Sequence, residues 1–184
     1  MRYPKECVLK NCREATIRRL AVGDEKLLAQ FYEKIPAADR WYMRYDATHP
    51  DVLHRWFQGL DSGFVDSIVA VCGSCIAGHG SLHTRGFGVT QHVGRLRIVV
   101  LPEYRRQRLG TWLMLDLIQL AMDKGLEVVR TDLVAGIEDT AIEAAHKLDF
   151  FKGGVLTDYA RDHEGNRRDM VIMIKHLHKG WGDY

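Results

Sequence analysis

No stretch of this 184-residue chain approaches the roughly 20 consecutive apolar residues that cross a bilayer. The opening MRYPKECVLKNCREATIRRL carries charges throughout and lacks the apolar core of a signal peptide. These absences set the expectation of a cytoplasmic protein without a membrane partner. Charge of one sign is lacking too. With 26 Lys and Arg against 24 Asp and Glu, the net charge of +2 is too small for nucleic acid to be the expected partner. No internal repeat or low-complexity linker divides the chain, so one domain over 1–184 is expected. Residues 1–13 read as an N-terminal extension and 179–184 as a C-terminal tail.

Several signatures are missing as well. There is no GxxxxGK[ST] and no GxGxxG, so ATP and dinucleotide sites have no support. HExxH and GxSxG are absent, which removes two hydrolase readings. Cysteine is sparse: Cys7, Cys12, Cys72 and Cys75. The CGSC at 72–75 has the spacing of a zinc or redox site. Its flanks, SIVAV and IAGHGSLH, read instead as two strands joined by a Gly-Ser turn. A redox motif would open a helix, and zinc would need Cys7 and Cys12 to converge on the pair. Reduced cysteines and no metal are expected.

What is present is a clear order of elements. ATIRRLA (15–21) alternates as a strand, and GDEKLLAQFYEKI follows with helical spacing and Asp24 as its cap. HPDVLHRWFQGL (49–60) is a second helix with proline in its first turn. Between them lies the aromatic, charged loop PAADRWYMRYD. Strands at 66–72 and 75–83 form a hairpin, and 93–101 is a third. In the helix over 106–124, Leu109, Leu113, Leu117 and Leu120 oppose Asp116, Gln119 and Asp123. A strand (126–135), a helix (138–150) and a closing hairpin around HEGN complete the chain. The expected fold class is α/β: a mostly antiparallel, seven-stranded mixed sheet with helices on both faces. Its one parallel crossover is the strand–helix–strand unit from 93 to 135.

That unit contains the most informative stretch, RIVVLPEYRRQRLGT (97–111). Pro102 cannot donate to a ladder and ends the strand. A helix then starts at about Arg106, and its first amides, to Thr111, have no intrahelical acceptors. Arg105, Arg106 and Arg108 crowd that positive helix end, where cations are normally unfavourable. A pyrophosphate would satisfy the amides and the arginines together, and Gly110 would let it approach the backbone. The ordinary alternative is a solvated basic helix end.

From about residue 14 to 178 the chain resembles the GNAT superfamily of acyl-CoA-dependent N-acyltransferases. The residues that carry this are RRQRLG (105–110), at the place of the family's [R/Q]xxGx[G/A] signature, and AAHKLDFFKGG (144–154) before the last hairpin. The resemblance implies that Arg105, Arg106, Gln107, Arg108, Leu109, Gly110 and Thr111 hold the phosphates of acetyl-CoA. It implies that Ile98, Val99 and Val100 line the pantetheine arm, with the Val100 amide polarising the thioester carbonyl. The partners implied are acetyl-CoA and an amine acceptor, in a monomer or homodimer. Three positions depart from the pattern. Arg108 replaces the first signature glycine, Asp149 replaces a glycine before Phe150, and Ala145 stands where a tyrosine often protonates the departing thiolate.

Transfer to an amine needs a base, and the strand 91–97 offers no carboxylate. The candidates are His83, His92 and Asp132, each also readable as an ordinary strand-end or solvent-facing residue. Tyr159, His146 or water are the candidates for thiolate protonation. RWYMRYD (40–46) is the candidate acceptor wall, and Arg40 and Arg44 point to an acceptor bearing a carboxylate. The expected function is N-acetylation of a primary amine of a small molecule or peptide by direct attack in a ternary complex. The alternatives are a catalytically weak acyl-CoA-binding sensor of the same fold and, more remotely, a nucleic-acid contact at the arginines.

Overall fold

Period-2 runs and turn residues build a single mixed sheet in the computed structural model, which describes residues 3–11 and 13–177. Cys12 and the tail at 179–184 lie outside the described residues. The strands are β1 (Lys5–Val8), β2 (Glu14–Arg19), β3 (Val65–Cys72), β4 (Cys75–His83), β5 (Val93–Val100), β6 (Val128–Val134), β7 (Phe151–Arg161) and β8 (Arg167–His176). Their order across the sheet is β1-β2-β3-β4-β5-β6-β8-β7. Every neighbouring pair is antiparallel except β5 and β6. The sheet thus has eight strands rather than seven. The additional one lies inside the segment read as an extension, where Cys7 pairs with Ala15 and buries its side chain.

The helices are α1 (Glu25–Glu33), α2 (Ala37–Arg40), α3 (Pro50–Gly59), α4 (Leu109–Asp123) and α5 (Asp139–His146). The glycines of β4 set how closely α4 sits. A Cβ on Gly78 would stand 2.9 Å from Leu113, and one on Gly80 would stand 3.1 Å from Leu117. The opposite face of β4 carries His79, which meets Tyr32 of α1 and Trp56 of α3. Helices therefore cover both faces of the central strands, and the buried core extends from α4 across the sheet to α1 and α3.

Four local expectations change. The long helix begins at Leu109 rather than Arg106, because Arg106 (φ 59°) and Arg108 (φ 69°) both adopt left-handed backbone. The helix after β6 ends at His146. Asp24 does not cap α1 with its side chain. Its carboxylate takes Arg18 at 2.6 and 2.7 Å and the Ala21 amide at 2.8 Å, and Arg18 holds it below the usual carboxylate range. Asp116 is not on a solvent face of α4. It is fully buried and bonded to Lys5 Nζ at 2.8 Å, so α4 is covered there by β1.

Candidate active site

β5 and β6 pair only where Val93–Arg95 run beside Val128–Arg130. Beyond Arg95 they part, β5 following β4 to Val100 and β6 following β8 to Val134. Hydrogen bonding shows which groups face the opening. Leu101 N–H donates to Ala77 beside β4, so strand alternation turns the amides of Ile98 and Val100 toward the opening. Ala135 N–H donates to Asp169 of β8, which turns the Val134 amide inward from the other side. There Glu138 Oε2 accepts Val134 N–H at 2.7 Å. The β5 edge, with the Ile98 and Val100 amides unpaired among the described residues, can take an extended ligand as a further strand.

At the end of β5, Pro102 to Tyr104 form a 3-10 turn that leads into the arginine loop. None of the amides from Arg106 to Thr111 donates to an acceptor among the described residues. Successive free amides around left-handed residues, at the N-terminus of a helix, form an anion-binding concavity. The side chains of Arg106 and Arg108 are exposed around it. An added methyl on Gly110 would meet only Val100 Cγ2, at 3.9 Å, an ordinary contact. The protein itself does not require glycine at this position, and the space above it is left open. Arg105 is engaged otherwise: Nε donates to Val100 O at 3.0 Å and the guanidinium pairs with Asp39 at 2.7 Å. It ties α2 to the mouth of the opening.

A polar cluster lies on the α1 and α3 side of the sheet. His79 is 2% exposed, with Nδ1 2.7 Å from the Tyr32 hydroxyl and Nε2 unpartnered. Burial pushes His79 down to about 3 and raises the Tyr32 hydroxyl, so the pair is neutral. His83 bonds Ser81 Oγ at 3.0 Å. Burial, with the positive charges of Arg97, Arg44 and Arg95, brings it down to about 4. It is therefore a weak base at neutral pH. On the same face Asp132 bridges Arg95 and Arg130, both at 2.8 Å, and its carboxylate is occupied by the two guanidiniums. Glu138 is the carboxyl that borders the opening. Burial raises it above the ordinary range, while the Val134 amide and Arg97 pull the other way.

The remaining candidates are scattered. His92 is exposed at the start of β5, and eight residues of strand set it about 26 Å from Val100. Tyr159 is 67% exposed on the outermost strand, three strand spacings or about 14 Å from β5. Ala145 is fully buried, whereas His146 is exposed. Of the acceptor wall, Arg40 donates to the carbonyls of Tyr32 and Glu33, Asp46 takes Thr48, and Trp41 Nε1 donates to Arg161 O at 2.8 Å. Arg44 and Tyr45 remain exposed. Sequence reasoning missed Glu138, Arg97 and His79. The last two sit at alternate positions on the same face as His83, and that period was the available signal. Among the described residues, no group of His, Cys, Asp and Glu is arranged to hold a metal.

A mixed sheet whose parallel pair parts beside a helix N-terminus is a fold shared with solved acetyltransferases. The model of the acetyltransferase (GNAT) family matches residues 27–150, and the chain belongs to that family. Solved structures share the fold throughout. An N-acetyltransferase from Staphylococcus aureus Mu50 superposes with TM-score 0.77 at 19% identity, over 89% of this chain and 99% of that one. YncA, a putative acetyltransferase from Salmonella typhimurium solved with its cofactor acetyl-CoA, gives 0.77 at 18%, over 91% and 96%. A ribosomal-protein-alanine N-acetyltransferase from Brucella melitensis gives 0.76 at 21%, over 88% and 99%. No curated protein sequence matches the chain.

Proposed function

We propose that the protein transfers an acetyl group from acetyl-CoA to a primary amine by direct attack within a ternary complex. The observation that carries this is the continuous run of free amides from Arg106 to Thr111, set beside the opening between β5 and β6. Those amides, with Arg106 and Arg108, bind the diphosphate. The inward edge of Ile98, Val99 and Val100 holds the pantetheine arm as a strand would be held. When bound, acetyl-CoA supplies an activated acyl carbon and a thiolate leaving group. The Val100 amide donates to the carbonyl oxygen as negative charge develops there. A preplaced donor of this kind is worth about 2.7–4 kcal/mol in the transition state.

Glu138 takes the role that Asp132, His83 and His92 do not fill. Its raised, half-enclosed carboxyl borders the opening and accepts a proton from the incoming ammonium. The neutral amine attacks the acyl carbon and the C–S bond breaks; protonated Glu138 gives its proton to the departing thiolate, and the acylated nitrogen loses its second proton to water. Arg105 closes the site by holding Asp39 of α2. The reading of a catalytically weak acyl-CoA sensor has one supporting observation, the buried Ala145 in place of a hydroxyl donor.

The two readings separate on one experiment. Thiol release from acetyl-CoA is followed across a panel of primary amines, with native protein and Glu138→Gln. Transfer that falls about a hundredfold or more in the variant, the lower end of acid–base contributions, supports the enzyme with Glu138 as its base. Micromolar binding of acetyl-CoA with no transfer to any amine supports the sensor.

A further inference from the structure

The acceptor half of the site contains a charge that the protein leaves unanswered. Arg95, Arg97 and Arg130 point to the α1 and α3 side of the sheet, as does His83, which pairs in register with Arg95. Arg95 and Arg130 share the carboxylate of Asp132. Arg97 is half-buried and makes no hydrogen bond or ion pair among the described residues. It stands opposite Ser81, three residues or about 10 Å of strand before Val100. Arg44, from the loop that Trp41 fastens to Arg161, joins it. Among the described residues Arg44 makes no hydrogen bond or ion pair and lies over the ring of Tyr45, at 5.4 Å, and both Arg44 and Arg97 act on His83.

A guanidinium withdrawn from water normally has a carboxylate or phosphate partner, because burying an unpaired charge is costly. Here desolvation is compounded by two like charges, Arg95 and Arg44, with Asp132 as a weaker compensation. Glu138 feels Arg97 but spends an oxygen on the Val134 amide. Arg97 is thus a half-buried cation without a hydrogen-bond or ion-pair partner among the described residues, and Arg44 adds its positive charge to the same region.

Resting on the acetyltransferase reading above, the geometry points to a small amino acid as the acceptor, its carboxylate held by Arg97 and Arg44 and its amine presented to the opening between β5 and β6. The guanidinium fork suits a carboxylate bidentately. Arg97 lies three residues before Val100 on the same strand, so a carboxylate held there sits on the acceptor's approach to the acyl carbon. The same charges disfavour cationic amines such as polyamines.

The test compares free L-alanine, L-methionine and L-glutamate with their α-amides, the amine being retained and the carboxylate removed. Thiol release is measured for native protein, Arg97→Gln, Arg97→Lys and Arg44→Gln. At least one free acid should exceed its amide about tenfold or more in kcat/KM. Arg97→Gln should raise KM for that acid about tenfold with a smaller change in kcat, and Arg97→Lys should recover part of it. Arg44→Gln, on an exposed loop, should show the same trend without a folding question. Amides or polyamines used as well as the acids, with KM unmoved by Arg97→Gln, would overturn the inference while leaving the acetyltransferase intact. If no amine is acetylated, thermal shift with N-acetyl-L-alanine and N-acetyl-L-glutamate decides. A rise in Tm for native protein that Arg97→Gln loses supports the anion site, and no rise in either overturns it.

Discussion

Arg108 and Asp149 stand where the resembling family places glycine, and both adopt left-handed backbone, with φ of 69° and 61°. The family pattern therefore encodes a backbone shape, and this chain keeps the shape without the residue. An L-residue with a full side chain costs about 1–2 kcal/mol in that region. Asp149 is the easier case, because aspartate tolerates left-handed backbone better than arginine does. Arg108→Gly should therefore raise stability by about 1 kcal/mol in urea unfolding, yet weaken acetyl-CoA binding through loss of a cation at the cradle. Unchanged or tighter binding would mean that Arg108 has no phosphate role. His79 carries a second prediction. Its folded pKa of about 3 lies below the unfolded value near 6.5, so only the unfolded chain takes the proton as pH falls through that window. Its share of the stability is complete above pH 6.5 and is lost progressively toward pH 3. The gap in urea midpoint between native protein and His79→Gln should shrink over that range. Glu138 carries the third. The acid limb of kcat/KM should lie above the ordinary glutamate pKa of about 4.3 and should vanish in Glu138→Gln.

Elements were legible in the sequence wherever one face met one neighbour. The hairpin of β3 and β4 and the crossover from β5 through α4 to β6 follow directly from period and turn chemistry. α4 shows where this stops. Its Asp116 fits a solvent face at helical period, but the partner that buries it, Lys5, lies 111 residues away on a strand of only four residues. Nothing local marks a four-residue strand as the cover of a distant helix. The pair is a stability determinant with a defined signature. Lys5→Met leaves a buried carboxylate whose Oδ2 already lacks a partner, and should cost about 2 kcal/mol. Lys5→Met combined with Asp116→Leu should regain most of that, because removing both charges avoids the unpaired group. A double variant no more stable than Lys5→Met would show that the ion pair itself holds β1. At the other end of α4, Gly110→Ala should keep or slightly raise stability, since alanine favours helix by about 0.5–1 kcal/mol. It should nevertheless weaken acetyl-CoA binding, which is the mark of a glycine kept for a ligand.

At the scale of the whole molecule, the proposed function rests on one interruption in an otherwise continuous sheet. Among the described residues β5 and β6 are the only parallel pair, they separate after three residues, and the arginine loop follows the end of β5. The order of elements made this gap legible, because a strand, a proline and a basic helix end come in succession. The acceptor side was not legible in the same way. Arg44 was marked by the aromatic, charged loop it sits in, but Arg97, His79 and Glu138 come from two strands and a helix start, and only folding sets them on the same side. For the base and the proton donor local sequence offered His83, His92, Asp132 and Tyr159, of which His92 lies at the far end of β5 and Tyr159 on the strand at the β7 edge. The central claim is that the free amides and arginines after β5 bind the diphosphate of acetyl-CoA. Calorimetric titration of acetyl-CoA into native protein and into Arg106→Glu tests it most directly. Micromolar binding is expected in the native protein, weakening about tenfold or more in the variant, a change of about 1.4 kcal/mol per tenfold. Equal affinity in both, or no binding in either, would contradict it.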